Sequence, residues 1–155
     1  MSHYNNQEID FINRTKEIIR QYNDFRIVEK EKYKDTLFLN CLVGLLILPQ
    51  QYWFDSFPTE LVSQKEWGIN PSHISSIKDG ETKKIKDIAR HLRNSIAHYE
   101  FKAFDNASSQ ISSINFKDKD RVGNVTFEAT IPLHSLRQFV TKLTETLITE
   151  MDKQK

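Results

Sequence analysis

Apolar residues recur along this chain in two rhythms, and each predicts a different kind of element. Over residues 6–28, Ile9, Ile12, Ile19, Tyr22 and Val28 stand among charged neighbours at helical spacing, uninterrupted by proline or glycine, which predicts a first long helix. Asp35 or Thr36 can cap a second helix running through Leu37, Phe38, Cys41, Leu42, Leu45, Leu46 and Leu48, and Pro49 stops it. Glu81 opens a third, in which Ile85, Ile88, Ala89, Leu92, Ile96 and Tyr99 make one buried face. Pro132 suits the start of a fourth, with Leu136, Phe139, Val140, Leu143, Leu147 and Ile148 as its apolar stripe.

The second rhythm is strict alternation. Ile114 and Phe116 are answered by Val125, Phe127, Ala129 and Ile131, with Gly123-Asn124 as turn chemistry and a loop starting at Lys117, which predicts a β-hairpin over 114–131. Residues 50–80, broken by Pro58, Gly68, Pro71 and Gly80, should be irregular apart from a short helix over 59–67, and 103–113 is small and polar. Trp53, Phe54, Phe57 and Trp67 are expected to pack the first of these connections onto the helices. The expected fold class is mainly α, a four-helix bundle with a β-hairpin between the third and fourth long helices.

Composition narrows the picture. The 155 residues, 38% of them hydrophobic, suit one domain spanning 1–155. Twenty-two basic against twenty-one acidic residues leave a formal charge of +1, so any basic surface must be local. A lone cysteine, Cys41, forms no disulfide within the chain and no cysteine-rich zinc site, and it fits a reducing, cytoplasmic setting. Residues 1–10 lack the apolar stretch of a secretory signal, and the apolar run 37–48 is short of the roughly 20 residues that span a bilayer, so no membrane association is expected. Scattered glycines give no phosphate-binding loop, and His3, His73, His91 and His134 show no metal-ligand spacing and read as surface or packing residues. No metal and no cofactor is expected.

The candidate chemistry lies in Arg93-Asn94-Ser95-Ile96-Ala97-His98. Arginine stays charged and can fork two donors onto phosphate oxygens, while histidine can take or give a proton near neutral pH. Seven arginines and five histidines give about 0.2 such pairs by chance, and asking for the adjacent asparagine cuts this to roughly 0.01 to 0.02, so the triple carries weight that the bare pair does not. At about 100° per residue, Lys83, Lys86, Arg90, Asn94 and His98 form a polar stripe opposite Ile88 and Leu92, on which the three basic residues are candidate RNA phosphate contacts. Arg93 lies about 140° round the helix from His98. Either the helix loosens near His98, or a second copy packs antiparallel so that each histidine meets the other subunit's arginine, which predicts a twofold dimer.

The same six residues resemble the Arg-x4-6-His signature of HEPN ribonucleases, often Arg-Asn-x3-His, and the order of four long helices with the motif late in the third is similar to the HEPN layout, closest to a plasmid-associated branch. The resemblance implies metal-independent RNA cleavage in a homodimer cleft, with the 2′-hydroxyl attacking its neighbouring phosphate and leaving 2′,3′-cyclic phosphate ends. It implies His98 as proton-transfer residue, Arg93 on the scissile phosphate, and Asn94 orienting a group or bonding the phosphate. A toxin, stress or anti-phage defence role follows, with an antitoxin or regulatory protein as a further partner. Some HEPN toxins carry a tyrosine two places after the histidine, whereas here Tyr99 follows directly and Glu100 holds that place, which argues against antitoxin control by tyrosine modification. The alternative is a non-catalytic HEPN-type binding or dimerisation module, with Arg93 and His98 as surface residues interacting with the carbonyls at the helix end.

Overall fold

The computed structural model describes residues 7–25, 33–47, 54–78, 80–108 and 110–153. Four long helices carry a four-stranded antiparallel sheet. The helices are α1 (Gln7–Asp24), α2 (Lys34–Leu42), α3 (Ile85–Ala97) and α4 (Leu133–Lys153). The strands are β1 (Ile74–Ile77), β2 (Phe101–Asp105), β3 (Ile111–Lys119) and β4 (Val125–Pro132), in the order β1-β4-β3-β2. The expected mainly α bundle with a single hairpin is therefore corrected. The β3–β4 hairpin is present, but a strand from the supposedly irregular 50–80 segment flanks β4, and one directly after α3 flanks β3.

Two sequence effects concealed the extra strands. In β1, Ile74 and Ile77 are separated by two serines, too short a pattern to register as alternation, yet Ile74 pairs with Ala129 and Ile77 with Phe127. In β2, Phe101 and Ala103 turn toward the core face and pair with Phe116 and Ile114, while Lys102 and Phe104 turn outward. β3 also runs further than expected. Lys117, Asp118 and Lys119 continue the ladder, and the turn shrinks to residues 120–124, where Asp120 accepts from the backbone of Val122 and Asn124 and Gly123 adopts φ +92°.

One face of the sheet is buried and the other is wet. Ile114, Phe116, Phe127, Ala129 and Ile131 join Ile85, Ile88, Ala89 and Leu92 of α3 and Leu136, Phe139 and Leu143 of α4 in one core. The α4 stripe thus packs as its spacing predicts, although Pro132 ends β4 and the helix starts one residue later. The first helix ends at Asp24, and Val28 lies outside the described residues, as do Leu48, Pro49 and Trp53. Past Leu42, the second helix widens into a π turn over Val43–Ile47. Among the described residues no helix is long and apolar enough to cross a membrane.

The segment before α3 sets where that helix begins. Phe57 and Trp67 are buried, as their aromatic character predicts, and Trp67 packs 6.2 Å from Phe139 while its indole N–H reaches Glu60 Oε1 at 2.6 Å. Only a 3-10 turn, Lys65–Trp67, forms where a short helix was expected. The backbone N–H groups of Ile85 and Lys86 donate to the carbonyls of Glu60 and Pro58, at 3.0 and 3.1 Å. Two orphan donors of the first turn are thereby met without a capping side chain, and α3 starts at Ile85 rather than Glu81.

Gly44, in the π turn, lies against α1. A Cβ there would overlap the Phe11 ring and come within 3.1 Å of Thr15 Oγ1. Alanine gains up to about 1 kcal/mol over glycine in a helix, whereas overpacking costs about 1–3 kcal/mol. Gly44→Ala is expected to lower the denaturant-unfolding free energy by about 1 kcal/mol, and an unchanged or raised midpoint would show that the ring swings clear.

Candidate active site

Alternation along β3 places Ile114, Phe116 and Asp118 on the core face in turn, so the last of them delivers a carboxylate to the flank of α3. His91 meets it there. The imidazole is 3% exposed and lies flat on Phe127, with ring centroids 4.7 Å apart and planes 4° from parallel. Its Nδ1 is 2.8 Å from Asp118 Oδ2, and its Nε2 is 2.7 Å from Glu81 Oε2 in the extended segment ahead of the helix. Both ring nitrogens are thus within hydrogen-bonding reach of a carboxylate oxygen, one on each side of the ring.

The network continues in both directions. Arg90 Nη2 donates to Glu81 Oε1 at 2.5 Å. Asn94 Nδ2 donates to the same Asp118 oxygen that His91 holds, at 2.9 Å. This fixes the amide's orientation, and Asn94 Oδ1 is left to accept from Arg93 Nη1 at 2.9 Å. Arg93 Nε is buried without an acceptor among the described residues. A buried donor left unpaired costs about 1–3 kcal/mol, so the guanidinium retains a demand for an acceptor that its own neighbours do not meet.

His98 caps the C-terminal end of α3 and is exposed. Seven residues on from His91 it lies about 20° away in helical projection, with Asn94 between, so the three share the face turned to β3. His98 and Asn94 line a cleft of about 490 Å³, opposite Lys117, Asp118, Lys119 and Arg121 of the hairpin. Lys119 pairs with Glu100 at 2.7 Å and Lys117 with Glu128 at 3.2 Å, while Arg121 makes no ion pair among the described residues.

Of the residues singled out by sequence, the fold brings Asn94 together with Arg93 on one side and with His98 on the other. It does not gather the basic trio around them. Lys83 precedes α3 and donates to the Pro71 carbonyl at 2.8 Å, Lys86 Nζ is 3.5 Å from Asp55, and Arg90 is tied to Glu81 with Asp87 3.8 Å away. Lys86 and His98 are separated by roughly 18 Å of helix. Sequence reasoning passed over Glu81, His91, Asp118 and the hairpin cations. His91 reads from sequence as a surface or packing residue, and it does pack, stacked on Phe127, but its seven-residue spacing from His98 is a usable signal for a shared face.

Just beyond His98 the backbone takes an unusual course. Tyr99 N–H donates to Ile96 O at 3.2 Å and Glu100 N–H to Ser95 O at 2.7 Å, the paired bonds of a Schellman ending, and Tyr99 occupies its left-handed position at φ +58°. Glycine is the default there, and a side chain with a Cβ costs roughly 1–2 kcal/mol. The expected place of Tyr99 on the buried face of the helix is overturned, since its ring is 82% exposed and touches Phe101 edge-on at 5.2 Å.

Arg93, Asn94 and His98 thus stand in Arg-Asn-x3-His spacing at the end of a helix that packs on a four-stranded antiparallel sheet. The chain belongs to the HEPN pEK499 p136 family, whose model matches residues 1–154. No curated protein and no solved structure matches it significantly.

Two outcomes follow for the network. Asp118→Ala strands the His91 and Asn94 donors together, and should cost about 3 kcal/mol in a denaturant melt. Burial pushes the Glu81 carboxyl up, but hydrogen bonds from His91 and Arg90, reinforced by their charges, outweigh it and hold Glu81 below the usual carboxylate value. A depressed folded pKa stabilises above the unfolded pKa, about 4.3, and that stabilisation is lost as pH falls through the folded value. Stability of the parent should exceed that of Glu81→Gln at neutral pH, with the gap closing below about pH 4; a pH-independent gap would contradict the assignment.

Proposed function

We propose that this protein is a metal-independent endoribonuclease of the HEPN type, acting as a homodimer. What carries the reading is the opening of Asn94 and His98 onto one cleft opposite the hairpin cations, with Arg93 anchored to Asn94. His98 accepts the proton of a ribose 2′-hydroxyl as its oxygen attacks the adjacent phosphorus. The P–O5′ bond breaks, the leaving oxygen is protonated, and the products carry a 2′,3′-cyclic phosphate and a 5′-hydroxyl. Arg93 neutralises charge building on the phosphate oxygens, and Asn94 orients the guanidinium or the phosphate.

Arg93 and His98 face different sides of α3, so the productive pair is His98 of one subunit and Arg93 of the other, across two antiparallel copies of the helix. Arg93 Nε has no acceptor among the described residues, which supports a guanidinium that gains a partner when it reorients toward a phosphate. Lys83, Lys86 and Arg90 of the second copy then extend a phosphate path beyond His98, exchanging their present partners for the RNA backbone. A toxin, stress or defence role with a neutralising or regulatory protein in the cytoplasm is the setting we infer, and it rests on the family alone.

Purified protein incubated with mixed RNA in EDTA is expected to cleave it, and His98→Ala or Arg93→Ala to slow cleavage at least 100-fold, roughly the contribution of one positioned proton-transfer or charge-stabilising group. Equal rates for all three proteins would reject the assignment in favour of a non-catalytic HEPN module. Mixing the two inactive variants separates the geometries. A site shared between subunits regains roughly a quarter of parental activity through heterodimers carrying one intact site, whereas a site built within one chain regains none.

A further inference from the structure

Next to the His98 cleft lies a shallow groove of about 350 Å³ on the exposed side of the β2–β3 edge, lined by Tyr99, Phe101, Lys102, Phe104 and Lys117. The two hollows share Glu100 and Lys117. Tyr99 is held in a backbone conformation that glycine would adopt without cost, and its exposed ring recovers little through packing beyond one edge contact. Strain maintained for a side chain that barely packs points to a use for that side chain outside the fold. Phe104, on the outward face of β2, is 41% exposed with Lys102 Nζ 5.4 Å from its ring centre.

We propose that this groove binds single-stranded RNA, with an unpaired base stacked on the Tyr99 ring and the backbone led past Lys117 into the His98 cleft. Aromatic faces interleaved with cations suit a single strand, whose bases offer free π-faces and whose phosphates need neutralising. A duplex hides those faces in its own stack. The acids along the path are all engaged: Glu100 and Glu128 by Lys119 and Lys117, and, in the His98 cleft, Asp118 by His91 and Asn94 and Asp120 by the turn residues Val122 and Asn124. The proposal rests on the ribonuclease reading in one respect, that the path ends at His98.

The test uses full-length protein carrying His98→Ala, so that RNA stays intact, and fluorescence anisotropy of labelled single-stranded oligoadenylate, alone or annealed to oligouridylate. Single strand should bind more tightly than duplex. Adding Tyr99→Ala is expected to weaken single-strand binding about tenfold, the size of one lost base stack, while Tyr99→Phe keeps it. Tyr99→Gly separates folding from binding, because it should melt at a higher temperature and yet bind weakly. Unchanged binding in Tyr99→Gly and Tyr99→Ala, or no binding by the His98→Ala protein, overturns the proposal. So does loss of self-association without loss of RNA affinity, which would give the patch to a second copy of this chain. Cleavage by the parent protein is measured in parallel: if it does not depend on His98 while binding depends on Tyr99, the catalytic reading fails and the RNA surface stands.

Discussion

The two-sided hydrogen bonding of one buried histidine governs how the two layers of this protein meet at the site. A buried imidazole needs a partner for each ring nitrogen, and the two partners of His91 come from different parts of the chain, Glu81 ahead of α3 and Asp118 on β3. Satisfying it fixes the rotation of α3 against the sheet. Asn94, one turn along, then has only one way to place its amide, and Arg93 follows. Apolar packing of Ile88 and Leu92 supplies the adhesion between helix and sheet, but methyl groups tolerate small rotations that a two-sided hydrogen-bonded ring does not.

The parts of the fold legible in the sequence are those where one physical preference dominates. In α3 and α4, burial demands the 3.6-residue rhythm and nothing opposes it. In the β3–β4 hairpin, Ile114, Phe116, Phe127, Ala129 and Ile131 alternate as a half-buried sheet requires. Legibility fails where two demands compete. Asp118 occupies a core-face position but lies in a run of charged residues that reads as a turn, because its burial depends on a histidine 27 residues earlier. β1 and β2 are short edge strands, and their pairing is dictated by the hairpin they flank rather than by their own composition.

The site shows the same division. Arg93, Asn94 and His98 could be found because they are contiguous on one helix, whereas the hairpin cations that face them are neighbours only through the fold. Helical geometry alone gave the angle between Arg93 and His98. The regular course of α3 through Ala97 keeps that separation, so the motif taken within one chain stays open. Tyr99 was unreadable for a further reason. Apolar spacing puts it on the buried face, and only the Schellman reversal, formed by backbone bonds, turns it out to solvent.

The start of α3 has a different consequence, for how the sequence can drift. Its first-turn donors are met by the main-chain carbonyls of Pro58 and Glu60. A carbonyl survives any substitution of the residue that bears it, so these caps do not constrain side-chain identity in the way a serine or aspartate cap would. They constrain length. Removing or adding one residue between Pro58 and Trp67 would shift both carbonyls out of register with the helix, whatever side chains they carry. As far as the caps are concerned relatives can therefore differ in residue type, Glu60 being held by its separate bond to the Trp67 indole, and should be conservative in the number of residues that lead to the site helix.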